Sequence, residues 1–118
     1  METVILKNLV LNEDYARKVV PFLHEDYFKD KSEQTIFNIV SKFILKYNSI
    51  PTKDAVMISL GDENGLGEAE FKKCNSITDE MYKEGEKSDT TWLVENTEKF
   101  CKEKAIYNGI MESIGIIE

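Results

Sequence analysis

Few side chains in this 118-residue sequence have the types and spacing that covalent or metal chemistry requires. His24 is the single histidine, and its neighbours Glu25 and Asp26 supply no second imidazole or thiol at the spacing of metal ligands. A general base also needs a partner that orients it or a nucleophile that it activates, and no motif supplies either. We therefore interpret His24 as a surface residue.

The glycine-rich stretch Gly61–Gly67 does not have the chemistry of a phosphate or calcium loop. It carries Asp62 and Glu63 but no lysine, and the whole sequence lacks the G-x-x-x-x-G-K-[ST] pattern that cradles a triphosphate. If Asp62 began a calcium loop, Leu66 and Lys73 would stand where an oxygen ligand and a glutamate are needed. The stretch is predicted to be a flexible loop, and no catalytic, cofactor or metal site is expected in the chain.

Charge and cysteine usage exclude further classes of function. The net charge is −7 and the basic residues lie scattered among acids, which argues against direct binding of nucleic acid. Cys74 and Cys101 fall on separate predicted helices, where reduced buried thiols and a disulfide are both possible. No apolar run approaches the ~18 residues of a membrane span, so we expect no membrane contact and a cytoplasmic location.

The element that must organise the fold is Ser32–Tyr47. Its apolar residues recur at helical spacing and spread beyond one edge, which indicates a central helix covered on more than one side. Ser32 is the predicted N-cap, and Asn48 lies just past the end. The buried side is predicted to include Ile36, Phe37, Ile39, Val40, Phe43, Ile44 and Tyr47.

Shorter helices are predicted around this central one. A short apolar run by itself fits either a helix or a strand, and Thr3–Leu11 is assigned to a helix because no partner strand occurs elsewhere. The other predicted helices are Glu13–Val20 capped by Asn12, Lys53–Leu60 capped by Thr52, and Glu68–Tyr82, with a break at Gly85–Thr90.

The last stretch, Thr91–Ile117, is predicted to be one long helix. About 27 residues would run ~40 Å, longer than the ~30 Å diameter expected of a domain built from the rest. Its far end should overhang that domain, unless the helix breaks at Gly109 and folds back. The chain also stops inside the apolar pattern, as a fragment of something longer would.

The candidate functional residues lie along this long helix, most of them toward its far end. Trp92 is interpreted either as an anchor that seats the helix or as a partner contact, since tryptophan is enriched at binding hot spots. The apolar far end needs a partner that the sequence does not supply. The candidate subunit or partner interface comprises Trp92, Phe100, Tyr107, Ile110, Met111 and Ile114.

The order and spacing of many apolar positions resemble the N-terminal domain of DnaB-family replicative helicases. The C-terminal part looks most like the T-even-type phage version of that domain. The positions are Glu2-x-x-Ile5-Leu6-x-x-Leu9-x-x-Asn12, Val20-x-Phe22-Leu23, Asp26-Tyr27-Phe28, Ile36-Phe37-x-Ile39, Pro51-Thr52, Trp92-Leu93-Val94-Glu95-x-Thr97-Glu98-Lys99-Phe100 and Ala105-x-Tyr107-Asn108.

The resemblance implies an all-α fold: a helical head of about five helices over residues 1–88, then a long helix over 89–118. That helix would be the first arm of an oligomerisation hairpin whose return helix lies outside this sequence. The resemblance further implies a hexameric collar that docks primase or a helicase loader in the bacterial host cytoplasm. ATP and Mg²⁺ would be needed only in a separate C-terminal motor domain.

Two other functions remain open from the sequence. One is a free-standing acidic α-helical adaptor whose C-terminal helices pair. The other is an inhibitor that mimics DNA. Such an inhibitor would be expected to carry dense rows of acidic residues, whereas in this sequence lysines lie among the acids.

Overall fold

The computed structural model describes residues 1–85 and 87–115, which form six α-helices and two short 3₁₀ turns. No strand occurs in these residues, so the all-α prediction of about five helices and a long C-terminal one is confirmed. Position 86 in the predicted Gly85–Thr90 break and positions 116–118 at the predicted helix end lie outside the described residues. The helices are α1 Glu2–Leu11, α2 Glu13–Val19, α3 Lys31–Tyr47, α4 Lys53–Asp62, α5 Glu68–Met81 and α6 Thr90–Ser113, with 3₁₀ turns at Val20–Phe22 and Glu25–Tyr27.

Helix α3 is the centre of the bundle, as its broad apolar surface predicts. It packs against α1, α4, α5 and the second 3₁₀ turn. Tyr47 was expected on the buried side, but it is exposed because α3 has passed the core by its last residue, and its ring rests on that of Phe43 at 4.7 Å. The buried residues of α3 are Ser32, Ile36, Phe37, Ile39, Val40 and Ile44.

Side-chain caps fix where the helices begin. Asn12 and Thr52 accept hydrogen bonds from the first-turn N–H groups of α2 and α4, which confirms both predicted caps. The predicted cap Ser32 is wrong. Asp30 accepts from the Ser32 N–H at 2.8 Å, so the cap lies two residues earlier, and Ser32 is buried inside the first turn of α3. Both residue types cap helices well, so composition alone did not separate them.

Two helix ends differ from the sequence prediction by more than one residue. Helix α4 runs on through Gly61 and Asp62, so the predicted loop Gly61–Gly67 begins two residues late, and its sharp turn is at Gly65, where φ is +83°. Helix α6 continues through Gly109 without a break and ends at Ser113, ahead of Gly115 at φ +69°. The long helix is thus confirmed, slightly shorter than predicted, and the fold-back alternative is wrong.

Both cysteines are buried and carry free thiols, so of the two interpretations the reduced one holds. Cys74 lies on α5, where its Sγ is 3.8 Å from the carbonyl oxygen of Ser32 on α3. Cys101 lies on α6. The core is therefore held by apolar packing without a covalent staple.

Candidate protein interface

One side of α6 is fixed to the bundle along its first three turns. Leu93, Thr97, Phe100 and Cys101 are buried there, and α6 packs against α2 and the second 3₁₀ turn. This half of α6 belongs to the hydrophobic core of the molecule.

A buried polar pair locks α6 to α2. The hydroxyls of Tyr15 and Thr97 lie 2.6 Å apart and satisfy each other. Burial raises the pKa of Tyr15 to about 12, only partly offset by the Thr97 hydrogen bond, so the phenol stays neutral. Burial likewise raises the pKa of Cys101 to about 11, so its thiol is protonated and chemically inert.

Past Cys101, α6 leaves the core. Its last hydrogen bond to the rest of the molecule joins Asn108 Nδ2 to the Asp26 carbonyl oxygen at 3.2 Å. None of residues 105–115 is buried. This stretch nevertheless carries large apolar side chains that are more than half exposed: Ile106, Tyr107, Ile110 and Ile114.

Trp92 stands at the other end of the same side of α6. It is 50% exposed, while the next residue, Leu93, is fully buried, so Leu93 and not Trp92 seats the start of the helix. Trp92 and Ile110 are 18 residues apart, about five turns at ~3.6 residues per turn, and so share one face. We call this face the outer stripe; its residues, spaced alternately by four and three, are Trp92, Asn96, Lys99, Glu103, Ile106 and Ile110.

The predicted interface residues fall into three environments. Trp92, Tyr107, Ile110 and Ile114 are exposed and lie on or beside the outer stripe, and Met111 is partly covered. Phe100 is 8% exposed and packs in the chain's own core, so the structure does not bring it together with the others.

Ile106, which is 63% exposed, is the residue that sequence reasoning missed. The signal was present, because Ile106 lies 14 residues after Trp92 and four before Ile110, and so on the same face. Participation of this set in an interface remains a prediction.

A second possible binding surface lies on the head, away from the outer stripe. A groove of about 360 Å³ between α1 and α5 has Leu6, Ile77 and Met81 among its apolar residues. Lys7 and Glu80 also line it, so charged groups of both signs flank the apolar floor. Such a surface suits a protein segment better than a nucleic acid.

The described residues contain no group of three or more His, Cys, Asp or Glu side chains placed to hold a metal ion. His24 is exposed, and its ring meets the ring of Tyr27 edge-on at 5.3 Å. In the part of the chain that the structure describes, no helix is long and apolar enough to cross a membrane.

Fold and surface together define a small all-α domain with one long helix whose outer side carries exposed apolar residues. No family model matches the sequence. The chain is 26% identical over 116 residues, 98% of its length, to the DnaB-like replicative helicase of Enterobacteria phage T4. The predicted resemblance to a phage DnaB-type helicase is thereby confirmed. The chain spans only 24% of that relative's length.

Proposed function

We propose that this chain is the N-terminal collar domain of a phage replicative DNA helicase and acts through protein contacts in the host cytoplasm. The observation that carries the proposal is the similarity to the T4 helicase along 98% of this chain but only 24% of that protein. A match of that extent suits one helical domain of a larger motor. Two surfaces of the fold support the roles that such a domain would need.

The first role is assembly of subunits through α6. Several apolar residues beyond Cys101 are more than half exposed, and covering them would remove apolar surface from water. Another helix laid along this side is the simplest cover, because the exposed isoleucines and Tyr107 follow one another along the far half of α6. The prediction that α6 is the first arm of a hairpin belongs to the same proposal.

The second role is docking of primase or a helicase loader on the head. The groove between α1 and α5 offers an apolar floor and charged rims on a different part of the molecule from the outer stripe. A partner bound there would leave α6 free for assembly. The two roles can therefore be separated by mutation.

ATP hydrolysis and DNA unwinding are assigned to the rest of the parent helicase. This sequence has no phosphate-binding loop motif, and its net charge of −7 disfavours contact with DNA phosphates. We expect the 118-residue chain neither to hydrolyse ATP nor to bind DNA appreciably. A filter-binding or phosphate-release assay positive at low protein concentration would contradict the proposal.

Titration calorimetry with the primase and the loader of the same phage tests the docking role. We expect at least one of them to bind. Ser76→Arg, which places a bulky cation at the exposed edge of the groove, should weaken that binding, while Ser49→Arg on another surface should not. If neither protein binds the unmodified chain, the docking role is wrong.

A further inference from the structure

The last turns of α3 carry an exposed surface that belongs neither to the groove between α1 and α5 nor to the outer stripe. Leu45 is 70% exposed, more than any other large apolar side chain that the structure describes. Lys42 lies three and four residues before Leu45 and Lys46, so the three exposed side chains project from one side of the helix. We call these residues, together with the adjoining rings of Phe43 and Tyr47, the α3 patch.

The α3 patch is basic although the chain as a whole is acidic. The net charge is −7, yet residues 34–53 contain three lysines and no aspartate or glutamate. In the described part of the chain, neither Lys42 nor Lys46 forms an ion pair. The Glu25 carboxylate instead accepts from the side-chain amide of Asn38, one turn before Lys42. Because two like charges one turn apart destabilise a helix, the stability of α3 does not account for this pair of lysines.

We infer that the α3 patch binds a short acidic protein segment, whose carboxylates pair with Lys42 and Lys46 and whose large apolar side chain covers Leu45. Two cations beside an exposed leucine are complementary to that chemistry. Alternate side chains of an extended segment are ~6.6 Å apart, close to the ~5–6 Å between Cβ atoms one helical turn apart, so two carboxylates reach both lysines. This site goes beyond the assembly and docking roles proposed above and does not depend on either.

The aromatic rings of the patch favour a protein segment over single-stranded nucleic acid. A nucleobase binds by stacking on a free aromatic face. The Tyr47 ring already contacts the Phe43 ring, with centroids 4.7 Å apart, and Lys46 Nζ lies 5.2 Å from its centroid. A base would have to displace one of these contacts, whereas an apolar side chain on Leu45 displaces neither.

The negative end of the α3 dipole does not prevent an acidic segment from binding. The C-terminus of a helix carries partial negative charge, which opposes an acidic partner. Lys46 lies in the last turn of α3, and Arg17 Nη2 donates to the carbonyl oxygen of Asn48 at 3.3 Å. Both cations offset the partial charge at this end of the helix.

Fluorescence anisotropy on the intact chain tests the inference. The probe is a labelled synthetic peptide in which aspartates and glutamates flank a central leucine and phenylalanine. We expect saturable binding that weakens with added salt, and at least ~10-fold weaker binding of a matched peptide with asparagine and glutamine in place of the acids. Lys42→Glu and Lys46→Glu should each weaken binding at least ~10-fold, and Leu45→Asn about 10-fold.

Two matched variants control for net charge and for exposed apolar area. Lys29→Glu makes the same charge change at an exposed position before α3. Ile58→Asn removes a side chain that is 67% exposed and lies two residues after the buried Val56, on the outer side of α4. Both should bind the acidic peptide normally, and circular dichroism would verify that every variant folds. Equal losses in Lys29→Glu and Lys42→Glu would mean general charge attraction and would overturn the site.

A labelled single strand of oligothymidylate decides between the two classes of partner. We expect it not to compete with the acidic peptide. If it displaced the peptide and lost its own binding in Lys42→Glu, the patch would be a nucleic-acid site and the choice of a protein segment would be wrong. Absence of peptide binding, or equal binding of the acidic and amide peptides, would also overturn the inference. The assembly and docking roles would survive either result, because they are measured by self-association and by titration with the primase and loader.

Discussion

The hydroxyl pair of Tyr15 and Thr97 is the one polar contact that joins α6 to α2 inside the core. Thr97→Val keeps the shape of the side chain but leaves the Tyr15 hydroxyl buried without a partner, which should cost about 1–3 kcal/mol of unfolding free energy. Tyr15→Phe should cost a similar amount. The double variant should cost less than the sum, because it leaves neither group unsatisfied. Urea unfolding of all four proteins measures this, and additive costs would mean that the two hydroxyls do not depend on each other.

Asp30 makes the stability of the head depend on pH. The Lys73 ammonium, which donates to Oδ2, holds the pKa of this carboxyl below its ordinary value, and the Ser32 N–H lowers it further. A carboxylate with a lowered pKa stabilises the fold above its unfolded-state value and loses that contribution as pH falls through the folded value. The part due to Asp30 should therefore disappear below about pH 4.

Asp30→Asn isolates this contribution. Asparagine also caps helices, so the variant keeps the Ser32 hydrogen bond but loses the charge. It should be less stable than the unmodified chain at neutral pH and should converge with it in acid, as measured by urea unfolding at several pH values. Glu33 has the opposite sign, because burial raises its pKa and the nearby Asp30 charge raises it further. Removing that charge brings the pKa of Glu33 closer to its ordinary value, which offsets part of the loss at neutral pH. Parallel pH profiles would contradict the assignment to Asp30.

At the scale of the helices, the spacing of apolar residues placed most of the α-helices, because packing into the bundle requires the spacing that the sequence shows. For Thr3–Leu11 the helix followed from the absence of a partner strand. The errors occur where local polar chemistry decides. Asp30 and Ser32 are both good caps, and only the folded chain shows which of them meets a free N–H. Thr97 has a polar side chain and is nevertheless fully buried, because a tyrosine 82 positions away satisfies its hydroxyl.

The same limit applies to the interface residues. The face of α6 that meets the head combines apolar and polar positions, and so sequence spacing alone could not separate Phe100 from Tyr107, which lies seven residues further on. The tertiary contact with α2 makes the distinction. Sequence spacing defined the helix, and the position of the head determined which side of it was left exposed.

A substitution at Gly109 tests whether the far end of α6 is a continuous, stable helix. A Cβ at this position meets nothing within 4 Å, so Gly109→Ala should stabilise the helix by about 0.5–1 kcal/mol. Amide hydrogen exchange around it should slow by about 2- to 5-fold. Gly115→Ala is the matched control, since φ of +69° disfavours alanine there. Faster exchange in Gly109→Ala would indicate that the helix needs glycine to bend at this point.

For the molecule as a whole, α6 divides near Lys104 into a part that packs in the core and an exposed part that we propose for binding. Residues 105–115 contain no buried side chain, whereas Thr97, Phe100 and Cys101 are all part of the core or sealed within it. A chain ending at Lys104 should therefore keep a thermal unfolding temperature within a few degrees of the unmodified chain, as measured by circular dichroism. It should fail to self-associate in sedimentation velocity, because it lacks Ile106 and Ile110.

A chain ending at Asn96 should not fold, because it exposes Tyr15 and the core side of α2. If the chain ending at Lys104 also unfolded, the far end of α6 would be needed for the stability of its own head, and its exposed isoleucines would have to be explained without a partner.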